Sequence, residues 1–184
     1  DRPELIRRTI LEVLGTVLTC QLACTYGIAS NLAGGTHHAH STMGAGYTIL
    51  NDLAIAANYL TNPLLSGNGS IGRVLVFDCD VHQGDGTAQF TRLHEEGRLV
   101  TVSIHCASNY PRVKAFSTLD VGVADGIKDE EYLQIVQETF VKAMEEYTPD
   151  FVLYDAGVDV YKHDKLGRLN LSEQGIRQRD RYVL

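Results

Sequence analysis

The sequence predicts an α/β domain built on a mainly parallel sheet, and three observations support this. Three apolar runs of strand length, Arg73 to Asp78, Leu99 to Ile104 and Phe151 to Tyr154, lack polar alternation, the pattern of strands buried on both faces. Segments with helical spacing separate them. Clusters of Gly, His and Asp follow at the ends of the runs, where open parallel sheets carry their working groups. A chain of 184 residues suits one domain rather than two large ones.

The elements follow in chain order. From Pro3 to about Tyr26, Leu5, Ile6, Ile10, Leu11, Leu14, Val17 and Leu18 recur at helical spacing. Ile28 to Ala33 reads as a short strand entering Gly34-Gly35, and Ile49 to Tyr59 as an amphipathic helix. A Gly/Asn/Ser loop from Ser66 to Gly72 precedes the first long apolar run. The connection from His105 to Leu119 is long for an unstructured loop, which marks it as functional. Asp129 to Tyr147 is a helix with Asp129 as its cap and Glu130 and Glu131 in its first turn. A last helix begins at Ser172. With no internal repeat, linker or low-complexity tract, residues 1–184 form a single domain.

Sixteen Lys and Arg against 23 Asp and Glu give a net charge of −7 and a pI near 5.4. That balance excludes a broad basic face for nucleic acid. It admits a short basic substrate drawn to an acidic rim. No apolar run approaches the roughly 20 residues of a membrane span. The start, DRPELIRRTI, lacks both Met and a signal pattern and reads as cut from a longer chain. Cys20, Cys24, Cys79 and Cys106 form neither a CxxC pair nor a disulfide framework; Cys20 and Cys24 read as buried thiols in a reducing compartment. Cytoplasm and nucleus both fit.

Chemistry concentrates in two motifs. Within DCDVHQGDG, Asp80 and His82 are two residues apart, so in extended backbone both project to one side and can meet on one cation. Asp159, at the end of DAGVD, leaves a neighbouring strand and supplies a third donor. Two carboxylates and an imidazole with an open position suit a catalytic divalent ion, Zn²⁺ first among them. In GGTHHAH, His37 and His38 are paired imidazoles that titrate near neutrality and suit general acid/base work. Asp78 and Asp85 can orient them. His40, His94 and His163 read as solvated histidines. No GxGxxG stands between a first strand and a helix, which excludes a dinucleotide-binding domain.

GGTHHAH, VFDCDVHQGDGTA and AGVDVYKHDKLGRL, in that order from about Leu32 onward, resemble the zinc-dependent histone deacetylase family. Gln83, NYPRVKAFSTLDV and LGRLNLSEQGIRQRD are more similar to its class IV branch and bacterial and plant relatives. The resemblance implies a three-layer arginase/deacetylase sandwich, here incomplete. It implies Asp80, His82 and Asp159 as zinc ligands, His38 as general base and then acid, His37 as its electrostatic partner, and Asp78 and Asp85 behind the two histidines. It also implies K⁺ held by Asp78, Asp80, His82, Ser103 and the carbonyl of Ile104, and a substrate channel walled by Gly46, Tyr47 and Tyr110. Such a tube suits an acyl-lysine, as on a histone tail, with its apolar stem and buried reactive amide.

The family also supplies an oxyanion-stabilising tyrosine from a Gly-rich loop, and nothing between Asp159 and Leu184 resembles it. The expectation is therefore an enzyme whose isolated 184-residue segment is poorly active. Two alternatives stay open: hydrolysis of acetylpolyamines or other small amides, and a catalytically inactive interaction module. Arginase-like chemistry needs further Asp-rich repeats, and one DxDxH stands here. Oligomeric state is not legible.

Overall fold

The computed structural model describes residues 2–66, 71–91 and 97–184. His94 and part of the Gly/Asn/Ser loop lie outside them.

Among the described residues ten elements follow one another: α1 (Pro3–Tyr26), α2 (Asp52–Thr61), α3 (Pro63–Ser66), β1 (Val74–Asp78), α4 (Asp85–Phe90), β2 (Leu99–Cys106), β3 (Leu119–Val123), α5 (Asp129–Tyr147), β4 (Phe151–Asp155) and α6 (Glu173–Val183). The strands form one parallel sheet in the order β3-β2-β1-β4. Strand residues alternate between two cores, as the period of two requires. Leu75 and Phe77 of β1 and Val100, Val102 and Ile104 of β2 pack against Tyr132, Val136 and Ala143 of α5, with Ile176 and Val183 of α6 alongside. Val74 and Val76 face the other way, onto Leu53, Ala56, Ala57 and Leu60 of α2, and Cys20 of α1 joins that cluster. The result is helix, sheet, helix: the predicted three layers.

Several expectations need correction. Residues 28–33 form no strand; Ile28 and Leu32 are exposed, and the Asn31 amide turns back to Thr16 on α1 at 2.9 Å. β3 went unread because LDVGV places Asp120 and Gly122 at alternate positions of an edge strand. The cap of α5 is Lys128; Asp129 instead accepts hydrogen bonds from the Ser172 amide and hydroxyl, tying α5 to α6. Cys24 is exposed, unlike Cys20.

α1 differs most. Its buried stripe is Thr9, Val13, Thr16 and Cys20, whereas Leu11, Leu14 and Leu18 are more than half exposed. Small residues face inward because α1 lies close against α2, where the Thr16 hydroxyl donates to Asp52 at 2.6 Å. By length and composition α1 could cross a membrane, with a mean hydropathy of 1.3 over its most apolar 18-residue stretch. This corrects the expectation that no segment approaches a membrane span: Thr and Gly scattered among the apolar residues hide the segment from a reading by runs but leave its mean high.

Candidate metal centre and histidine pair

The polar clusters meet beyond the carboxyl ends of β1 and β4. Register pairs Asp78 of β1 with Asp155 of β4, so the loops that follow begin side by side. Asp80 and His82 on the first loop converge with Asp159 on the second. His82 Nδ1 lies 3.0 Å from Asp80 Oδ1 and 3.0 Å from Asp159 Oδ2, and one donor atom from each residue falls within 4.8 Å of the others. Backbone amides hold the carboxylates in place: that of His82 donates to Asp80 Oδ1 at 2.7 Å and that of Val81 to Asp159 Oδ1 at 2.9 Å.

The electrostatics of this cluster favour a cation. Burial works against charge on His82, yet the Asp159 and Asp80 carboxylates raise its pKa to about 9. Burial likewise opposes the ionised form of Asp80, but His37 and His82 hold it at about 2. Burial and the neighbouring Asp80 charge push Asp159 up, against His82. Two carboxylates and one imidazole that stabilise positive charge between them fit a divalent ion with a vacant coordination position.

The histidine pair sits beside this triad on the loop before α2. Asn51 caps α2 through the Ala54 amide at 2.9 Å, and its side-chain amide donates to the carbonyls of His37 and Ala39. Asp52 is fully buried and accepts from the amides of Gly35 and Thr36 at 3.1 and 2.7 Å. Asn51-Asp52 therefore shapes the loop, a role the sequence reading missed because it placed the helix start at Ile49.

The two imidazoles differ in environment. His37 Nδ1 donates to Asp78 Oδ2 at 2.9 Å, and His37 Nε2 lies 3.7 Å from Asp80. Burial alone lowers its pKa, but Asp78, Asp80 and Asp155 outweigh this and push it well above the histidine range. His38 Nδ1 donates to Asp85 Oδ1 at 2.7 Å. Burial lowers the pKa of His38, the positive His37 adds to that, and Asp85 only partly offsets it. The pair is thus arranged as one cation and one neutral base, and with Nδ1–H given to Asp85 the lone pair of His38 is on Nε2. Opposed shifts on adjacent groups are the signature of divided acid/base roles.

Three neighbours complete the picture. The Tyr110 ring meets His38 edge-on, centroids 4.9 Å apart, and is 44% exposed. Gly46 lies so close to His38 that a β-carbon there would fall on the imidazole. Tyr47 is fully exposed and makes no ring contact among the described residues. Ser103 is the register partner of Asp78, and its hydroxyl lies 3.1 Å from His105 Nδ1; Ile104 is fully buried beside it. Asp155, the first residue of DAGVD, has its side chain nine-tenths buried with Oδ2 at 3.8 Å from His37 Nδ1 and no hydrogen-bond partner among the described residues. Burial and Asp78 push its pKa well up, against His37. His40, read as solvated, is instead largely buried, with Nε2 at 3.3 Å from the second oxygen of Asp85. His163 is exposed, as read.

Residues 2–184 match the family model of the histone deacetylase domain. The chain belongs to the histone deacetylase family. It is 44% identical over 179 residues to an uncharacterized protein of Picosynechococcus sp., covering 97% of this chain and 57% of that protein. It is 33% identical over 175 residues to histone deacetylase 2 of Arabidopsis thaliana, covering 94% of this chain and 43% of that protein. The chain thus spans about half the length of the curated relatives it matches. Among solved structures, an HDAC homolog from Aquifex aeolicus superposes with a TM-score of 0.81 at 24% identity, covering 94% of this chain and 48% of that one. An HDAC homolog complexed with SAHA gives a TM-score of 0.80 over the same shares. The family shares the arginase/deacetylase-like α/β fold predicted from the motifs.

Proposed function

We propose that the protein carrying this chain is a zinc-dependent hydrolase that removes acetyl or longer acyl groups from lysine side chains. The observation that carries this reading is the convergence of Asp80, His82 and Asp159 beside a histidine pair whose pKa values are driven apart. Residues 1–184 are then the metal-bearing part of one catalytic domain. Asp80, His82 and Asp159 would hold the ion. Bound there, zinc would polarise the acyl carbonyl and acidify a water.

The chain's own groups supply the proton chemistry. With Nδ1–H given to Asp85, His38 presents Nε2 as the base that takes a proton from the attacking water. It returns that proton to the departing lysine amine. His37, held as a cation by Asp78, stabilises negative charge developing next to it. Tyr110 offers an aromatic wall for the apolar stem of the lysine, and Gly46 and Tyr47 are assigned to the same channel. Asp78, Asp80, His82, Ser103 and the Ile104 carbonyl are assigned to K⁺. Histone tails and other basic protein segments, in cytoplasm or nucleus, are the proposed substrates, and the net charge of −7 favours their approach.

The test uses the full-length protein: metal content, and acetate release from an acetyl-lysine peptide, for wild type and Asp159→Ala. One equivalent of zinc and turnover in the wild type, both lost in the variant, would support the reading. A full-length protein that binds no divalent ion and releases no acyl group would end it.

A further inference from the structure

The Arg179 side chain on α6 is wholly buried, which is costly for a guanidinium unless its donors are satisfied. Its partners are concentrated in one place. Nη1 donates to the carbonyls of Cys79 at 3.2 Å and Gly157 at 2.8 Å, and Nη2 to that of Ala156 at 3.2 Å. Nε donates to Asp180 Oδ1 at 2.8 Å, and the guanidinium carbon lies 5.8 Å from the centre of the Tyr154 ring. Asp180 also accepts from the Tyr154 hydroxyl at 2.7 Å.

The three carbonyls stand at the roots of the two metal-bearing loops. Cys79 directly precedes Asp80, and Ala156 and Gly157 lie between the end of β4 and Asp159. The last sheet-like bond between these loops runs from the Cys79 amide to the Asp155 carbonyl at 2.9 Å. Beyond it no backbone hydrogen bond joins the two loops among the described residues, and there only Arg179 donates to the Ala156 and Gly157 carbonyls. The loops touch backbone to backbone there: a β-carbon on Gly157 would fall on the Asp80 Cα. A planar fork of donors can span two chains at a fixed spacing, which a lysine ammonium cannot.

We propose that Arg179 is a positioning residue of the metal centre, fixing the separation of the loop bearing Asp80 and His82 from the loop bearing Asp159. The proposal rests on the metal-hydrolase reading above. Arg179 touches neither ion nor substrate; it acts through the backbone of the ligand loops. Loss of outer partners of this kind weakens metal affinity by about 10–100-fold.

The experiment titrates full-length protein, stripped of metal, with Co²⁺ and follows the visible absorption band, alongside far-UV circular dichroism. Wild type, Asp159→Ala, Arg179→Lys and Arg179→Met are compared at a temperature where all are folded. The expected result is native circular dichroism with about 10–100-fold weaker Co²⁺ binding and an altered band in both Arg179 variants. Lower stability with unchanged affinity and band would overturn the proposal. If Arg179→Met does not fold, Arg179→Lys carries the comparison; failure of both to fold assigns Arg179 to folding alone and overturns it as well. A wild type that takes up no Co²⁺, or an Asp159→Ala that binds it equally, overturns the underlying metal reading together with the clamp.

Discussion

Gln83 and Ala115 exchange a pair of hydrogen bonds: the Ala115 amide donates to Gln83 Oε1 at 2.8 Å, and Gln83 Nε2 donates to the Ala115 carbonyl at 3.0 Å. A fully buried side chain thereby imitates a strand partner for the connection between β2 and β3. The same Nε2 reaches Asp120 Oδ1 on β3 at 2.6 Å, and the Gln83 amide donates to the Tyr110 carbonyl at 3.3 Å. One residue next to His82 therefore anchors the segment that carries Tyr110.

Replacing Gln83 with Leu keeps the volume roughly constant but strands the Ala115 groups. Stability is expected to fall by about 1 kcal/mol, the net worth of hydrogen bonds to groups that are only half-buried. Because the Tyr110 segment loosens while His38 and the metal ligands stay, KM for an acyl-lysine peptide should rise more than kcat falls. Denaturant melts and steady-state kinetics on the full-length protein check both; a drop in kcat at unchanged KM would contradict the role given to the loop.

Gly46→Ala should separate folding from chemistry. Gly46 has φ +52 and abuts His38, so an alanine is strained and displaces the imidazole. A displacement of about 1 Å at a reacting group costs on the order of 10²-fold in rate. Turnover is expected to drop by that factor with metal content retained. Wild-type turnover would show that His38 is not where the base acts.

The pH profile follows from the histidine pair. His38 must be neutral to accept a proton, and burial, with His37, lowers its pKa from 6.5. Activity should therefore persist below the usual histidine range and fall on further acidification as His38 takes up a proton. Asp85 is the group that favours protonated His38, so Asp85→Asn should shift the acid limb of kcat/KM to lower pH. His37→Gln removes a positive neighbour and should shift the limb upward. Unmoved or reversed limbs would deny His38 the role of base.

A fourth outcome concerns thiol chemistry. Burial raises the Cys20 and Cys79 thiols to about 12, so neither carries appreciable thiolate near neutral pH. Peptide-resolved alkylation of native full-length protein should leave both unmodified until denaturant is added. Rapid native labelling of Cys79 would mean that the packing around it and Arg179 opens readily.

What could be read from the chain was what local pattern controls. Apolar runs with no alternation specify strands buried on both faces, so β1, β2 and β4 were legible, and α5 was legible except for its cap. The alternation of Asp80 with His82 specified a shared side, and the motif order specified the family. Expectation failed where burial depended on partners distant in sequence. Residues 28–33 look like a strand but pair with none among the described residues, and β3 looks like a loop because an edge strand needs fewer apolar residues.

Only tertiary structure decided how the pieces act together. Which face of α1 turns inward depends on its approach to α2, and not on where its leucines lie. The opposed charge preferences of His37 and His38 arise from which carboxylates fold against each: Asp78, Asp80 and Asp155 on one side, Asp85 on the other. The spacing of the two ligand loops depends on Arg179, about 100 residues from Cys79 along the chain. Sequence determines which groups are available; their field, burial and separation are set by contacts between segments that no local pattern encodes, because electrostatic and packing energies depend on distance in space.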